Sequence, residues 1–151
     1  MTFTAGPTSV TEHQSTEHTF TYSITDPGQD SQTVAVSCGT GGALVSLSPA
    51  NTATAGSFRC RFDDGPATPT VSVQATDSDG ASGNTATQAV SVANVEPTVI
   101  SLISNPSAAV IGQTVTISAS GTDPSGADTA AGLAWRFDTG SGFGAYATGI
   151  G

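Results

Sequence analysis

The most regular patterning in the chain lies between Pro69 and Val99. Val71, Val73 and Ala75 alternate with Thr70, Ser72, Gln74 and Thr76, the period of a half-buried strand. Ala86, Val90 and Val92 alternate in the same sense beyond a polar turn, Asp77-Ser78-Asp79-Gly80 followed by Ala81-Ser82-Gly83. The pattern predicts one antiparallel hairpin, stopped by Pro97, with a fresh apolar run opening at Val99.

Upstream the same alternation recurs in short pieces. Phe20, Tyr22 and Ile24 form one, and Asp26-Pro27-Gly28-Gln29-Asp30 ends it with turn chemistry. Val34 to Cys38 forms the next, broken at Gly39-Thr40-Gly41-Gly42. Leu44, Val45 and Leu47 give another that ends at Pro49, and Ser57 to Phe62 follows with Arg59 and Arg61 facing out. About seven strands with turns at this spacing predict a β-sandwich. Thr25-Asp26-Pro27 then recurs as Thr122-Asp123-Pro124, after a second alternating run at Val115, Ile117 and Ala119. A repeat at domain length predicts tandem modules of one fold, a complete one over 1–96 and the N-terminal part of a second over 97–151. In the second, Leu133, Trp135 and Phe137 alternate again, and no closing strand is expected after Tyr146.

Composition fits short strands: 36% of residues are hydrophobic and only 10% are charged, with 18 glycines. Three arginines, Arg59, Arg61 and Arg136, stand against 12 carboxylates, and there is no lysine. A net charge of −9 repels phosphate backbones and anionic lipid surfaces, so nucleic acid and membrane surfaces are not expected partners. No apolar run is long enough to span a bilayer, and the N-terminus lacks the pattern of a signal peptide. An export signal, if the protein is secreted, is expected outside this chain.

Cys38 lies on the same strand face as Val34 and Val36, and Cys60 on the same face as Phe58 and Phe62. Both sulfurs are therefore expected to point into one core, and no third cysteine competes. A disulfide is expected rather than two buried thiols, which implies an oxidising compartment.

One resemblance ties these features together. Trp135-Arg136-Phe137-Asp138-Thr139-Gly140 resembles the Trp-Asp-Phe-Gly-Asp-Gly signature of the PKD domain, an immunoglobulin-like β-sandwich. The run from Thr70 to Thr98 resembles the end of bacterial PKD and related repeats, with a valine-rich strand, an Asp-rich turn and an Asn94-Val95-Glu96-Pro97-Thr98 linker. The first module lacks a tryptophan in its third strand, and the second has Arg136 and Thr139 where the signature differs. The resemblance implies tandem immunoglobulin-like modules of a large bacterial secreted or surface protein. Their expected partners are neighbouring modules of the same chain, with a polysaccharide or a protein as ligand.

The carboxylates fall mostly in turns. In a sandwich of this kind, the loop between the second and third strands shares an end with the last hairpin. Asp26, Asp30, Asp77 and Asp79 are therefore expected to converge, and hard oxygen ligands suit Ca²⁺. In the second module Asp123 and Asp128 occupy the equivalent loop and are expected near Asn94, Glu96 and Glu12. Against this stands the ordinary role of Asp and Asn in turns, where the side chain bonds its own backbone. An EF-hand is excluded because Gln88 stands at the twelfth position counted from Asp77, where a Glu is required.

His13 and His18, five apart, would point to opposite faces of a strand and are expected to be loop residues of the surface. No Gly-x-Ser-x-Gly elbow exists, and Gly140-Ser141-Gly142-Phe143-Gly144 lacks the lysine of a phosphate loop. A non-catalytic extracellular spacer, stiffened by calcium, is the function expected. An adhesive or carbohydrate- or protein-binding accessory, including one attached to a secreted hydrolase, is the alternative.

Overall fold

A computed structural model describes residues 1–28, 31–47 and 54–148. Asp30 and the strand stop at Pro49 lie outside the described residues. The chain forms two compact units, Met1–Asn94 and Val95–Gly151.

The first unit contains β1 (Thr2–Ala5), β2 (Ser9–Thr11), β3 (His18–Ser23), β4 (Gln32–Ser37), β5 (Gly42–Leu47), β6 (Ala55–Phe62), β7 (Thr70–Asp77), β8 (Ala86–Ala89) and β9 (Ser91–Ala93). One sheet has the order β1-β3-β6-β5 and another β4-β7-β8, all antiparallel. The alternation in sequence becomes an inner face on each. Phe20, Tyr22, Phe58, Cys60 and Phe62 come from the first sheet, and Val71, Val73 and Ala75 from the second. Val10, Ile24, Val90 and Val92 complete the same core. Phe20 and Phe58 stack with centroids 5.5 Å apart, and Phe3 packs edge-on to Phe20 at 6.2 Å. Each such side chain contributes roughly 1.5–3 kcal/mol on leaving water.

The expected hairpin from Pro69 to Val92 is present only in part. β7 pairs with β8, with Thr70 opposite Ala89 and Val73 opposite Ala86. At Val90 the ladder stops, and β9 leaves the sheet to pair in parallel with β2, Val92 opposite Val10. Val90 donates its N–H to the Pro69 carbonyl at 2.9 Å, and Val92 and Ala67 exchange bonds of 2.9 and 3.1 Å. Val90 and Val92 thus stay buried, held by partners that the alternation alone did not specify.

Cys38 and Cys60 form the expected disulfide, with Cα atoms 5.7 Å apart. Cys38 follows directly on β4 and Cys60 lies within β6, so the bridge ties one sheet to the other. The turn after Cys38 needs its glycines. Gly39 has φ +76, and a side chain there would meet the Thr70 backbone at 2.7 Å. At Gly42 a β-carbon would fall on the Cys38 carbonyl and 2.9 Å from the Phe62 ring.

The second unit pairs β10 (Thr98–Asn105) with β11 (Thr116–Thr122), and β12 (Ala134–Trp135) with β13 (Ala147–Thr148), all antiparallel. Where the sequence predicts only a turn after Asp123, a short helix α1 (Gly126–Ala131) forms, capped by Ser125, whose hydroxyl accepts the Asp128 N–H at 3.1 Å. Val99, Ile100, Leu102 and Ile103 are each more than 60% exposed. Among the described residues of this unit, none of the apolar side chains is fully buried. An isolated two-stranded ribbon of this kind is marginal in water. All-β architecture holds in both units, and among the described residues no helix is long and apolar enough to cross a membrane.

Two outcomes follow from the core. Closing the loop between the cysteines stabilises by roughly 3 kcal/mol, so reductant is expected to lower the melting temperature by about 10–20 °C. Cys38→Ser is expected to melt at the reduced temperature with or without reductant; equal melting of this variant and the oxidised protein would show that the bridge contributes nothing. Tyr22 is buried with a hydroxyl that has no partner among the described residues, and burial pushes its phenol above the ordinary 10.0. Removing a desolvated, unpartnered hydroxyl relieves its penalty, so Tyr22→Phe is expected to melt at or above the wild-type temperature. A loss of more than about 1 kcal/mol in a urea titration would show that the hydroxyl has a stabilising partner.

Candidate functional site

The predicted turn carboxylates divide into those that serve their own turn and those that also line a cleft. Asp26 ends the segment after β3, and its Oδ1 accepts the Gly28 N–H at 3.1 Å. Its Oδ2 accepts the Gln32 Nε2–H at 2.9 Å. Asp77 ends β7; its Oδ1 accepts the Ala81 N–H at 2.8 Å, while its backbone N–H bonds the Ala81 carbonyl at 3.0 Å. The Asp26 bond to Gly28 is the ordinary Asx bond to the N–H two residues on, and the Asp77 bond to Ala81 closes a wider turn by reaching four residues on. Asp79 stands exposed at the tip of the same turn, and Asp30 lies outside the described residues.

Asp26 and Asp77 nevertheless share one cleft of about 210 Å³. Gln32 lies on its wall with Thr25, Ser82 and Asn84. Gln32 and Asp77 are direct cross-strand partners on β4 and β7, which places their side chains on one face with β-carbons roughly 5 Å apart. Gln32 is 7% exposed, and its Oε1 has no hydrogen-bond partner among the described residues. Met1 closes one rim: its ammonium donates to Asn84 Oδ1 at 2.8 Å, and its carbonyl accepts Asn84 Nδ2–H at 2.9 Å.

Glu12 follows β2 and is buried, its Oε2 accepting the Gly65 N–H at 2.6 Å. Its backbone N–H bonds the Ala93 carbonyl at 2.9 Å, extending the parallel pairing of β2 with β9. Asn94 and Glu96 are exposed. Asp123 is buried and accepts the Ser125 N–H at 2.8 Å, repeating the bond that Asp26 makes to Gly28. Asp123 and Asp128 bring carboxylate oxygens within 4.8 Å of one another.

Two features escape the sequence reading. Gln32 was unmarked because a glutamine ahead of Val34 looks like the polar end of a strand. Its place in the inward series Gln32, Val34, Val36 was the available signal. The second is an exposed cluster in the second unit, where the Arg136 guanidinium lies 4.7 Å from the Phe143 ring centre and 4.8 Å from that of Tyr146. The turn between Arg136 and Phe143 is anchored by Asp138, whose Oδ1 accepts the Gly140 and Gly142 N–H groups at 2.8 and 3.0 Å. Both glycines hold positive φ, at 104° and 96°.

The charged strand residues have mainly structural partners. Arg59 pairs with Glu17 at 3.0 Å on the surface. His13 Nδ1 accepts the Ser15 N–H at 3.1 Å in a local turn. His18, expected in a loop, opens β3 and packs its ring 6.0 Å from that of Phe62. The chain matches no known family model, no curated protein and no solved structure.

Burial holds the His18 imidazole below its ordinary value of 6.5. The folded state therefore resists protonation, and the unfolded chain takes up the proton first as pH falls. Stability contributed by neutral His18 is present above about pH 6.5 and is lost as the pH falls below it. The urea midpoint is expected to fall from about pH 7.5 to about pH 5.5 by more in the wild type than in His18→Gln. Equal falls in the two proteins would remove His18 as the cause.

Proposed function

We propose that this chain is a non-catalytic, extracellular structural segment built from immunoglobulin-like modules, related to those of the PKD domain in bacterial surface and secreted proteins. The observation that carries the proposal is the strand order of the first unit. Sheets β1-β3-β6-β5 and β4-β7-β8 follow the A-B-E-D and C-F-G arrangement of an immunoglobulin-like sandwich. β2, pairing in parallel with the last strand, is then a second segment of strand A. The bridge differs from the usual one between strands B and F, because Cys38 follows strand C and Cys60 lies in strand E.

The tandem arrangement rests on a repeated local event. In each unit a strand paired antiparallel to an earlier one runs into Thr-Asp-Pro, at 25–27 and 122–124. In each, the Asp side chain accepts the N–H two residues on. A spacer needs cores that resist unfolding and a surface that stays soluble. The inter-sheet disulfide and the net charge of −9 supply these. The disulfide also favours an oxidising, extracellular setting.

A second function, binding of a polysaccharide or a protein, draws support from one place. The aromatics of the first unit pack inward, whereas Phe143 and Tyr146 are about two-thirds exposed and flank Arg136. Aromatic faces beside a guanidinium are common contact points for such ligands. Affinity electrophoresis of the chain through gels containing soluble polysaccharides separates the two. The spacer function predicts mobility that is unchanged by the polymer and identical in Arg136→Ala and Tyr146→Ala. Saturable retardation that is lost in either variant would replace the spacer with a binding module.

A further inference from the structure

The cleft beside Asp26 and Asp77 contains a buried acceptor that the protein does not satisfy. Gln32 is more than nine-tenths buried, and its carboxamide is fixed in one orientation because Nε2 donates to Asp26 Oδ2 at 2.9 Å. That orientation turns Oε1 away from Asp26, and Oε1 has no hydrogen-bond partner among the described residues. Leaving such an oxygen dry and unpaired is costly, and native proteins rarely do so without a water or an ion. The pairing of Gln32 with Asp77 across the β4–β7 ladder puts a carboxylate beside it on the same face.

Several donors on the cleft wall are directed at groups other than Gln32 Oε1. Ala81 N–H goes to Asp77, Asn84 Nδ2 to the Met1 carbonyl, and Gln32 Nε2 to Asp26. The Met1 ammonium is held by Asn84 Oδ1 at 2.8 Å. A cation in the cleft would give Gln32 Oε1 the partner that these donors do not. We infer that the first unit binds a calcium ion in this cleft, with Gln32 Oε1 and carboxylate oxygens of Asp77 and Asp26 as its protein ligands and water completing the shell.

The donor set selects the ion. All the donors are oxygen, two of the side chains are anionic, and they come from three separate segments in an irregular arrangement. Calcium accepts six to eight oxygens in such geometry, whereas magnesium requires a near-octahedral shell and gives up water reluctantly. A cleft of about 210 Å³ leaves room for bound water. With about three protein ligands, a dissociation constant on the order of 10⁻⁴–10⁻³ M is expected, the range of extracellular modules. The site lies within one unit and does not depend on whether the chain serves as a spacer.

The test is titration of the full chain, freed of metal, with calcium chloride alone, followed by calorimetry and by amide chemical shifts. One calcium per chain is expected, with shifts centred on residues 26, 32, 77 and 81–83. Magnesium at the same concentration is expected to bind at least tenfold more weakly. Asp77→Asn and Gln32→Met are expected to weaken calcium at least tenfold, while Asp79→Asn, outside the cleft wall, stays within about twofold. If Gln32→Met fails to fold, the shift map of the wild type and Asp77→Asn still decide the matter. No saturable shifts up to about 10 mM calcium would leave a buried water as the partner of Gln32 and overturn the site. So would shifts centred elsewhere, or binding indifferent to Asp77→Asn.

Discussion

The first unit depends on the row Phe58, Cys60, Phe62 along the inner face of β6. This strand is central in its sheet, paired on one side with β3 and on the other with β5. Phe58 stacks on Phe20 and touches the rings of Phe3 and Tyr22, while Phe62 meets His18. Cys60, between them, crosses to Cys38 and joins the opposing sheet. A two-layer sandwich exists only if both inner faces leave water together. In a small domain with few large apolar residues, the covalent tie supplements a modest core.

The second unit shows the same sequence grammar without that closure. β10 and β11 alternate and pair as a ribbon, yet Val99, Ile100, Leu102 and Ile103 remain in solvent. Alternation produces a strand; burial requires a second layer, and burial supplies most of the stability. What order there is comes from local bonds. Asp123 and Ser125 cap a single helical segment, and Asp138 gathers two glycine amides into a turn.

The aspartates illustrate how one residue type serves two ends. Asp26, Asp77, Asp123 and Asp138 each accept a backbone N–H two or four residues on, and this alone accounts for their presence in turns. Only the neighbours distinguish them. Asp26 and Asp77 stand beside a buried carboxamide with an unmet oxygen, whereas Asp79 on the same turn faces water. Sequence spacing marked Asp26, Asp77, Asp79 and Asp123 alike. It passed over Gln32, because the alternation of Gln32, Val34 and Val36 marks an inward face but not the groups that the face meets.

All-β character, the inward placement of both cysteines and the Asx turns were legible from the residues themselves, because each depends on contacts within a few positions along the chain or on a two-residue period. The departure of β9 at Val90 to lie parallel to β2, the closeness of Gln32 to Asp77, and the Arg136 cluster with Phe143 and Tyr146 were not. The first two depend on which distant segment comes to rest alongside, and the third on how the Asp138 turn folds the chain back. A strand that ends one ladder and begins another keeps the same alternation throughout, so the period records that Val90 and Val92 are buried but not against what. That choice belongs to the packing of the two layers, where backbone groups left by one neighbour must find another.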